Sequence, residues 1–400
     1  MNAISRSRTV VVCIGAAVLA TLSCLLYVPV TIHCFQFESD YTRHLASAEQ
    51  MYRTHQLVAP HALFHFLTIG VVEVAGTSFQ SAALIVLGVS YGLTGLVLYR
   101  ETARVLIPDQ SSRQALWWGA MAALVLGLVV LFMQPILRPN QSHSYQIGYL
   151  WAEPYWSPTY TLMKPFALAS AVSTLAFLTS ANTSRFAVMT AAIATAAGAL
   201  AKPSFVICLM PAVVILGALR SKDHEPVDWK AITLGILAPG AAILLLQYYL
   251  SYSGLGPEGM YRNAIVFAPL RSFRDHQVTY LPAKLALSVA FPAAVYLLYW
   301  KCARRDLRLN FALLLFAFGT GYGLFLAEAR NSSHGNLIWG AYITLFIFYL
   351  YSATFLVRQL KTASWKGTQK VRHIVAIALL LAHVGNGILA HVATLHQQSG

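Results

Sequence analysis

Hydrophobic positions in this chain fall in long unbroken runs, not at the spacing of a half-buried helix or strand. Runs at 9–31, 79–99, 114–136, 160–180, 229–250, 282–300, 307–327, 337–357 and 373–394 each suit the roughly 20 apolar residues that cross a bilayer as a helix. Between 186 and 219 the apolar stretch is too long for one crossing and is interrupted by Lys202-Pro203. Proline stops a helix and lysine is costly at the bilayer midplane, so the pattern predicts two short spans meeting at Lys202. The expectation is an all-α polytopic membrane protein with about 11 transmembrane helices. It forms a single integral-membrane domain over 1–400, with no separate soluble domain.

Polar residues gather between the runs, most densely in "FESDYTRHLASAEQM" at 37–51. Asp40, Arg43 and His44 stand at i, i+3 and i+4, one face of a helix beginning near Ser39, with Leu45, Ala48 and Met51 on an apolar stripe. Such a helix lies along a membrane surface. Two readings of Asp40 are open: it caps the helix beside headgroup-facing cations, or it is a partly desolvated carboxylate tuned as a general base. Nearby, "PHALFHFL" at 60–67 predicts a second short helix opening at Pro60, with His61 and His65 at i and i+4. Two imidazoles on one face, with Asp40 or Glu38 close by, can hold a divalent metal; ordinary interfacial packing is the alternative.

Composition supports the membrane reading. Of 400 residues, 57% are hydrophobic and 10% charged, against about 25% charged in soluble domains, and the mean hydropathy is +0.59. A net charge of +14 raises nucleic acid as a partner, but the basic residues sit in short clusters between apolar runs and form no basic domain. No nucleic-acid partner is expected. With the N-terminus cytoplasmic and the first run retained as a span, most of the 28 lysines and arginines fall on the inner side, as the positive-inside rule requires. The outer side then receives 32–78, 137–159, 251–281 and 328–336. The 5 cysteines show no paired spacing, so neither a disulfide framework nor a thiolate zinc site is indicated.

The remaining candidates lie on the outer side. "EPYWSPTYTLMKPF" at 153–166 offers Trp151, Tyr155, Trp156 and Tyr160 as membrane-interface anchors or as a surface on which a sugar ring stacks, with Lys164 one turn inside. Lys202 either snorkels to the interface or faces a cavity and meets an anionic group such as a lipid phosphate. "EARNSSHGN" at 328–336 brings Glu328, Arg330, His334 and Asn336 into one turn, a density that suits a phosphate or a polyol. The loop 251–281 adds Arg262, Arg271 and Arg274 as phosphate contacts or headgroup-facing cations.

With "ESDYTRH", "WSPTYTLMKPFAL", "LAKPSFVICLMPA" and "EARNSSHGNLIWG" in these places, the chain resembles the bacterial GT-C superfamily of integral-membrane glycosyltransferases. Their donors are polyprenyl-phosphate sugars. The resemblance implies an inverting transfer to a glycan, lipid or protein acceptor of the envelope, at the outer face of the bacterial inner membrane among its lipids. It implies Asp40 as the base, with Glu38 as its understudy, and Lys202, Arg330 and Arg262 on the donor phosphate. Arg43, His44, Trp156, Lys164, Glu328, His334 and Asn336 would contact substrate. No cofactor is required, and a divalent metal at His61 and His65 stays open. A flippase or transporter, or a polymerase or ligase of lipid-linked glycans, is the alternative.

Overall fold

The computed structural model describes residues 3–107, 112–137, 148–152, 157–252, 264–329, 336–362 and 365–396. The first helix, α1, is Ala3–Cys34. Two shorter helices follow, α2 (Asp40–Thr54) and α3 (Leu63–Ala75), and then α4 (Phe79–Leu106) and α5 (Arg113–Leu131). The middle of the chain forms α6 (Pro158–Phe177), α7 (Arg185–Ala201) and α8 (Ser204–Lys222). A composite helix, α9, joins the α-helical Trp229–Ile232 and Ala238–Tyr252 through a π-helical turn at Thr233–Leu237. Then come β1 (Ile265–Phe267), α10 (Arg271–Asp275), α11 (Leu281–Leu298), α12 (Trp300–Ala303), α13 (Leu307–Phe325) and β2 (Leu326–Glu328). A 3-10 turn at Asn336–Ile338, α14 (Trp339–Thr362) and α15 (Gly367–His396) complete the described chain.

Among the described residues, nine helices are long and apolar enough to cross a membrane. They coincide with nine of the expected spans. The helices α6 and α7 occupy the other two places but are not among those nine, α7 being a shorter apolar helix of 17 residues. The break at Lys202 is as expected: α7 ends at Ala201, Lys202 is extended, and Pro203 opens α8.

The helix α14 is the axis of the bundle. In its most apolar stretch 89% of residues are buried, against 17% for α1. Helices apolar on every side belong in an interior, and α14 packs against α13, α11, α8 and α5. Its start is held very close to α13: a Cβ on Gly319 would come within 2.7 Å of the Gly340 carbonyl. Small residues at such crossings let backbones approach where lipid offers no hydrophobic drive.

Five prolines, Pro29, Pro165, Pro211, Pro239 and Pro292, lie inside these helices, and each frees the carbonyl four residues earlier. At three of them a hydroxyl from a neighbouring helix meets that carbonyl. Pro165 frees Thr161 O, which accepts from Ser90 Oγ at 2.7 Å. Pro239 frees Gly235 O, which accepts from Thr195 Oγ1 at 3.1 Å. Pro292 frees Ser288 O, which accepts from Tyr349 OH at 2.5 Å. In a bilayer core no water can fill those vacancies, so the hydroxyls stabilise both the bends and the packing.

The polar segments gather at one end of the bundle. There α2 and α3 lie across α4 and α6, and β1 pairs antiparallel with β2, Ile265 opposite Glu328. Nothing in the apolar pattern announces so short a strand pair, yet it ties the segment after α9 to the end of α13 and so positions Glu328.

Candidate functional site

The amino end of α2 is set by Ser39. Its N–H donates to Thr42 Oγ1 at 3.0 Å, and its hydroxyl donates to Cys34 O at 2.6 Å, tying the start of α2 to the end of α1. Asp40 is therefore the first helical residue, not the cap, and its carboxylate is spent elsewhere. Its Oδ2 lies 3.7 Å from His44 Nε2. Arg43, grouped with Asp40 and His44 on spacing, instead pairs with Glu38 at 2.9 Å, with side chains 69% and 81% exposed.

His44 leans into the bundle and meets α3. Its Nδ1 is 3.1 Å from Nε2 of His65, which is fully buried. The His44 and His61 rings stand 6.2 Å apart. The expected His61–His65 face does not form, because α3 begins at Leu63 and His61 precedes it. Proline has no N–H, but Pro60 lies too far before Leu63 to open the helix. The two imidazoles that meet directly come from different helices. Among the described residues no group of three or more His, Cys, Asp or Glu side chains is placed to hold a metal ion.

Burial, then the positive charges of protonated His65 and Lys202, pushes His44 down to about 3 from its ordinary 6.5. His61 is lowered by burial, Lys202 and the other two histidines, against the opposing charge of Asp40. His65 is lowered by burial to about 4. All three imidazoles are neutral at physiological pH.

Lys202 stands where α7 breaks into α8 and is 7% exposed. Among the described residues its Nζ makes one hydrogen bond, to Thr159 Oγ1 at 3.4 Å, and sits 4.0 Å above the Trp339 ring. It is close enough to Asp40 for their charges to interact. An ammonium has three protons to donate, so Lys202 retains donor capacity inside the protein.

That capacity faces a cavity of about 690 Å³. Its polar wall carries His61, Lys202, Gln247 and Glu328, with Asn336 Nδ2 donating to Glu328 Oε2 at 2.8 Å. Gln247 is buried, donates to Ala199 O at 2.8 Å, and leaves Oε1 without a hydrogen bond among the described residues. The opposite wall includes Leu244, Leu245 and Tyr248 of α9. Leu245 and Tyr248 are 68% and 62% exposed, so the apolar side of the cavity lies on the outer surface of the bundle.

No family model, curated protein or solved structure matches this chain. The site is therefore read from its own chemistry.

Lys164 lies away from the cavity. It is fully buried, donates to Ala152 O at 2.6 Å and stands 4.2 Å above the Phe346 ring, so it pins the 148–152 segment to the core. Trp151 and Tyr160 are interior as well, Tyr160 lying 5.3 Å from Trp339; they are neither interface anchors nor a free stacking surface. Arg262, Trp156, Arg330 and His334 lie outside the described residues.

Sequence reasoning missed His383, buried on α15. Phe291 N–H donates to its Nε2 at 3.2 Å, so Nδ1 carries the proton and donates to Gln134 O at 2.6 Å. A histidine midway along a 30-residue apolar helix, which also carries His373, His391 and His396, was the available signal, since an intramembrane imidazole needs partners. Here they are backbone groups left open near Pro292.

Proposed function

We propose that the protein is an inverting, GT-C-like glycosyltransferase that moves a sugar from a polyprenyl-phosphate donor to an envelope acceptor outside the bacterial inner membrane. In this reading α6 and α7 also cross the bilayer, giving eleven spans, and α2 and α3 rest on its outer surface. The observation that carries the proposal is Lys202: a 93% buried cation (7% exposed) with unfilled donor capacity, between a lipid-facing apolar wall and the Asp40–His44 pair. A phosphate with a long apolar tail satisfies all three surroundings, the tail along Leu244, Leu245 and Tyr248 and the phosphate at Lys202.

The chemistry follows from the placement. The acceptor hydroxyl gives its proton to the Asp40 carboxylate while its oxygen bonds to the anomeric carbon. The bond from that carbon to the phosphate oxygen breaks, and the electron pair stays on the phosphate. Lys202 stabilises the charge that develops there. Glu328 and Asn336, with Gln247, offer hydrogen bonds to sugar hydroxyls from the polar wall. His61 contributes a neutral imidazole to the same wall. Attack on the anomeric carbon from the face opposite the leaving phosphate inverts the anomeric centre.

The test is transfer from synthetic polyprenyl-phosphate sugars by the purified protein in nanodiscs. Asp40→Asn lowers kcat by about 100-fold to 10,000-fold, the usual contribution of a positioned base. Lys202→Ala weakens donor binding by about tenfold to a hundredfold, the worth of a charged hydrogen bond of roughly 1.5–3 kcal/mol. Wild-type turnover by Asp40→Asn removes Asp40 from the mechanism. Facilitated movement of the intact lipid-linked sugar across vesicles, without transfer, replaces the enzyme reading with a flippase.

A further inference from the structure

One polar group in this cluster has no part in the transfer just described. His65 is fully buried on α3, beside Phe64 with ring centroids 5.7 Å apart. An imidazole in such surroundings costs stability unless its hydrogen bonds are made. Its Nε2 lies 3.1 Å from His44 Nδ1. The other ring nitrogen of His44, Nε2, faces Asp40 Oδ2 at 3.7 Å. A lone pair turned toward a carboxylate is repelled, so the proton of His44 belongs on Nε2 and its Nδ1 is an acceptor. The proton of His65 then belongs on Nε2, where it is donated to His44.

We propose that His65 is a positioning residue: acting through His44, it fixes the tautomer that presents an N–H to Asp40 and so holds the carboxylate in one orientation. Its catalytic consequence rests on the glycosyltransferase reading; the hydrogen-bond chain does not. The charged and titratable groups facing the chain are Asp40 on α2, His61 before α3 and Lys202 between α7 and α8. Burial keeps both imidazoles neutral, aided at His44 by Lys202, the state in which each ring has one donor and one acceptor. A separation of 3.7 Å is longer than a hydrogen bond, and catalytic contacts of this kind shorten when substrate binds. The chain also joins α2 to α3, so the order of the first loop and the aim of its carboxylate depend on one contact.

Two measurements on the full chain in nanodiscs test this. Nitrogen-15 NMR of histidine-labelled protein, with signals assigned by single-histidine variants, reads the tautomers directly. The expected result is an Nε2 proton on both His44 and His65, with the His44 Nε2 signal shifted in Asp40→Asn. In the transfer assay, His65→Phe lowers kcat by about 100-fold, the effect of a misplaced reacting group, with the donor KM unchanged. His65→Gln, whose amide nitrogen takes the place of Nε2, restores most of that loss. A proton on His65 Nδ1, wild-type kcat in His65→Phe, or a His65→Gln variant no better than His65→Phe overturns the proposal. Should the wild-type protein transfer no sugar, the transferase reading fails, and the expected tautomers still uphold the His65–His44–Asp40 chain.

Discussion

Buried imidazoles make the first polar segment sensitive to acid. His44 and His65 are held to about 3 and about 4, against 6.5 for an unperturbed ring. Both folded values lie below the unfolded one, so the unfolded or undocked segment binds protons first. Stability is therefore full above about pH 6.5 and falls as pH drops, by up to about 1.4 kcal/mol per pH unit for each ring. The loss continues until the folded values are reached. Hydrogen exchange over 40–75 checks this: protection is level from pH 8 to 7, after correction for intrinsic rates, and decreases between pH 6 and 5. In His65→Phe the decrease is about two-thirds as steep, because His44 and His61 still titrate, and protection independent of pH would exclude the neutral imidazoles. Asp40 and Lys202 stood out as candidates in the sequence, because each is an ionisable group beside long apolar runs. The partner of His44 was not. That contact joins residues 21 positions apart on helices whose relative placement no local pattern encodes.

At the scale of elements, proline and hydroxyl form coupled pairs. Ser90, Thr195 and Tyr349 each fill a carbonyl vacancy that a proline creates on another helix. Ser90→Ala is expected to destabilise the protein by roughly 1 kcal/mol, in the range of interhelical hydrogen bonds in membranes. Pro165→Ala in the same background restores an N–H to Thr161 O and recovers part of the loss. The cycle is read by unfolding in mixed micelles of increasing denaturing detergent, and strict additivity would show that the two residues act separately. Proline positions, and with them the bends, can be read from the sequence. Which hydroxyl answers which carbonyl cannot, because a serine on α4 meets α6 only after the bundle closes. The start of α3 was misread for a related reason: Pro60 is a good helix opener, but the chain turns through Ala62 and the helix begins at Leu63.

For the whole molecule, the apolar runs dictated the helices, and the basic clusters predict an orientation that can be tested. Asp40, His61, Lys202, Ser251, Glu328 and Asn336 come from five separate interhelical segments or helix ends, all assigned to the outer side, and the fold gathers them at one end. At the other end Glu101 pairs with Arg104 at 2.6 Å and Arg358 with Asp306 at 2.5 Å, among the arginines assigned to the inner side. If the positive-inside rule orients this chain, Cys302, which is exposed and lies between α11 and α13, is an inner reporter. Cys13 is also exposed but falls inside the first apolar run, where an aqueous reagent does not reach it. In intact cells a membrane-impermeant maleimide is expected to label Glu49→Cys and spare Cys302; after permeabilisation it labels both. Labelling of Cys302 in intact cells, with Glu49→Cys protected, would reverse the orientation. The cavity would then open to the cytoplasm, where a lipid-linked donor and an envelope acceptor do not meet, and the proposed reaction would fall with it.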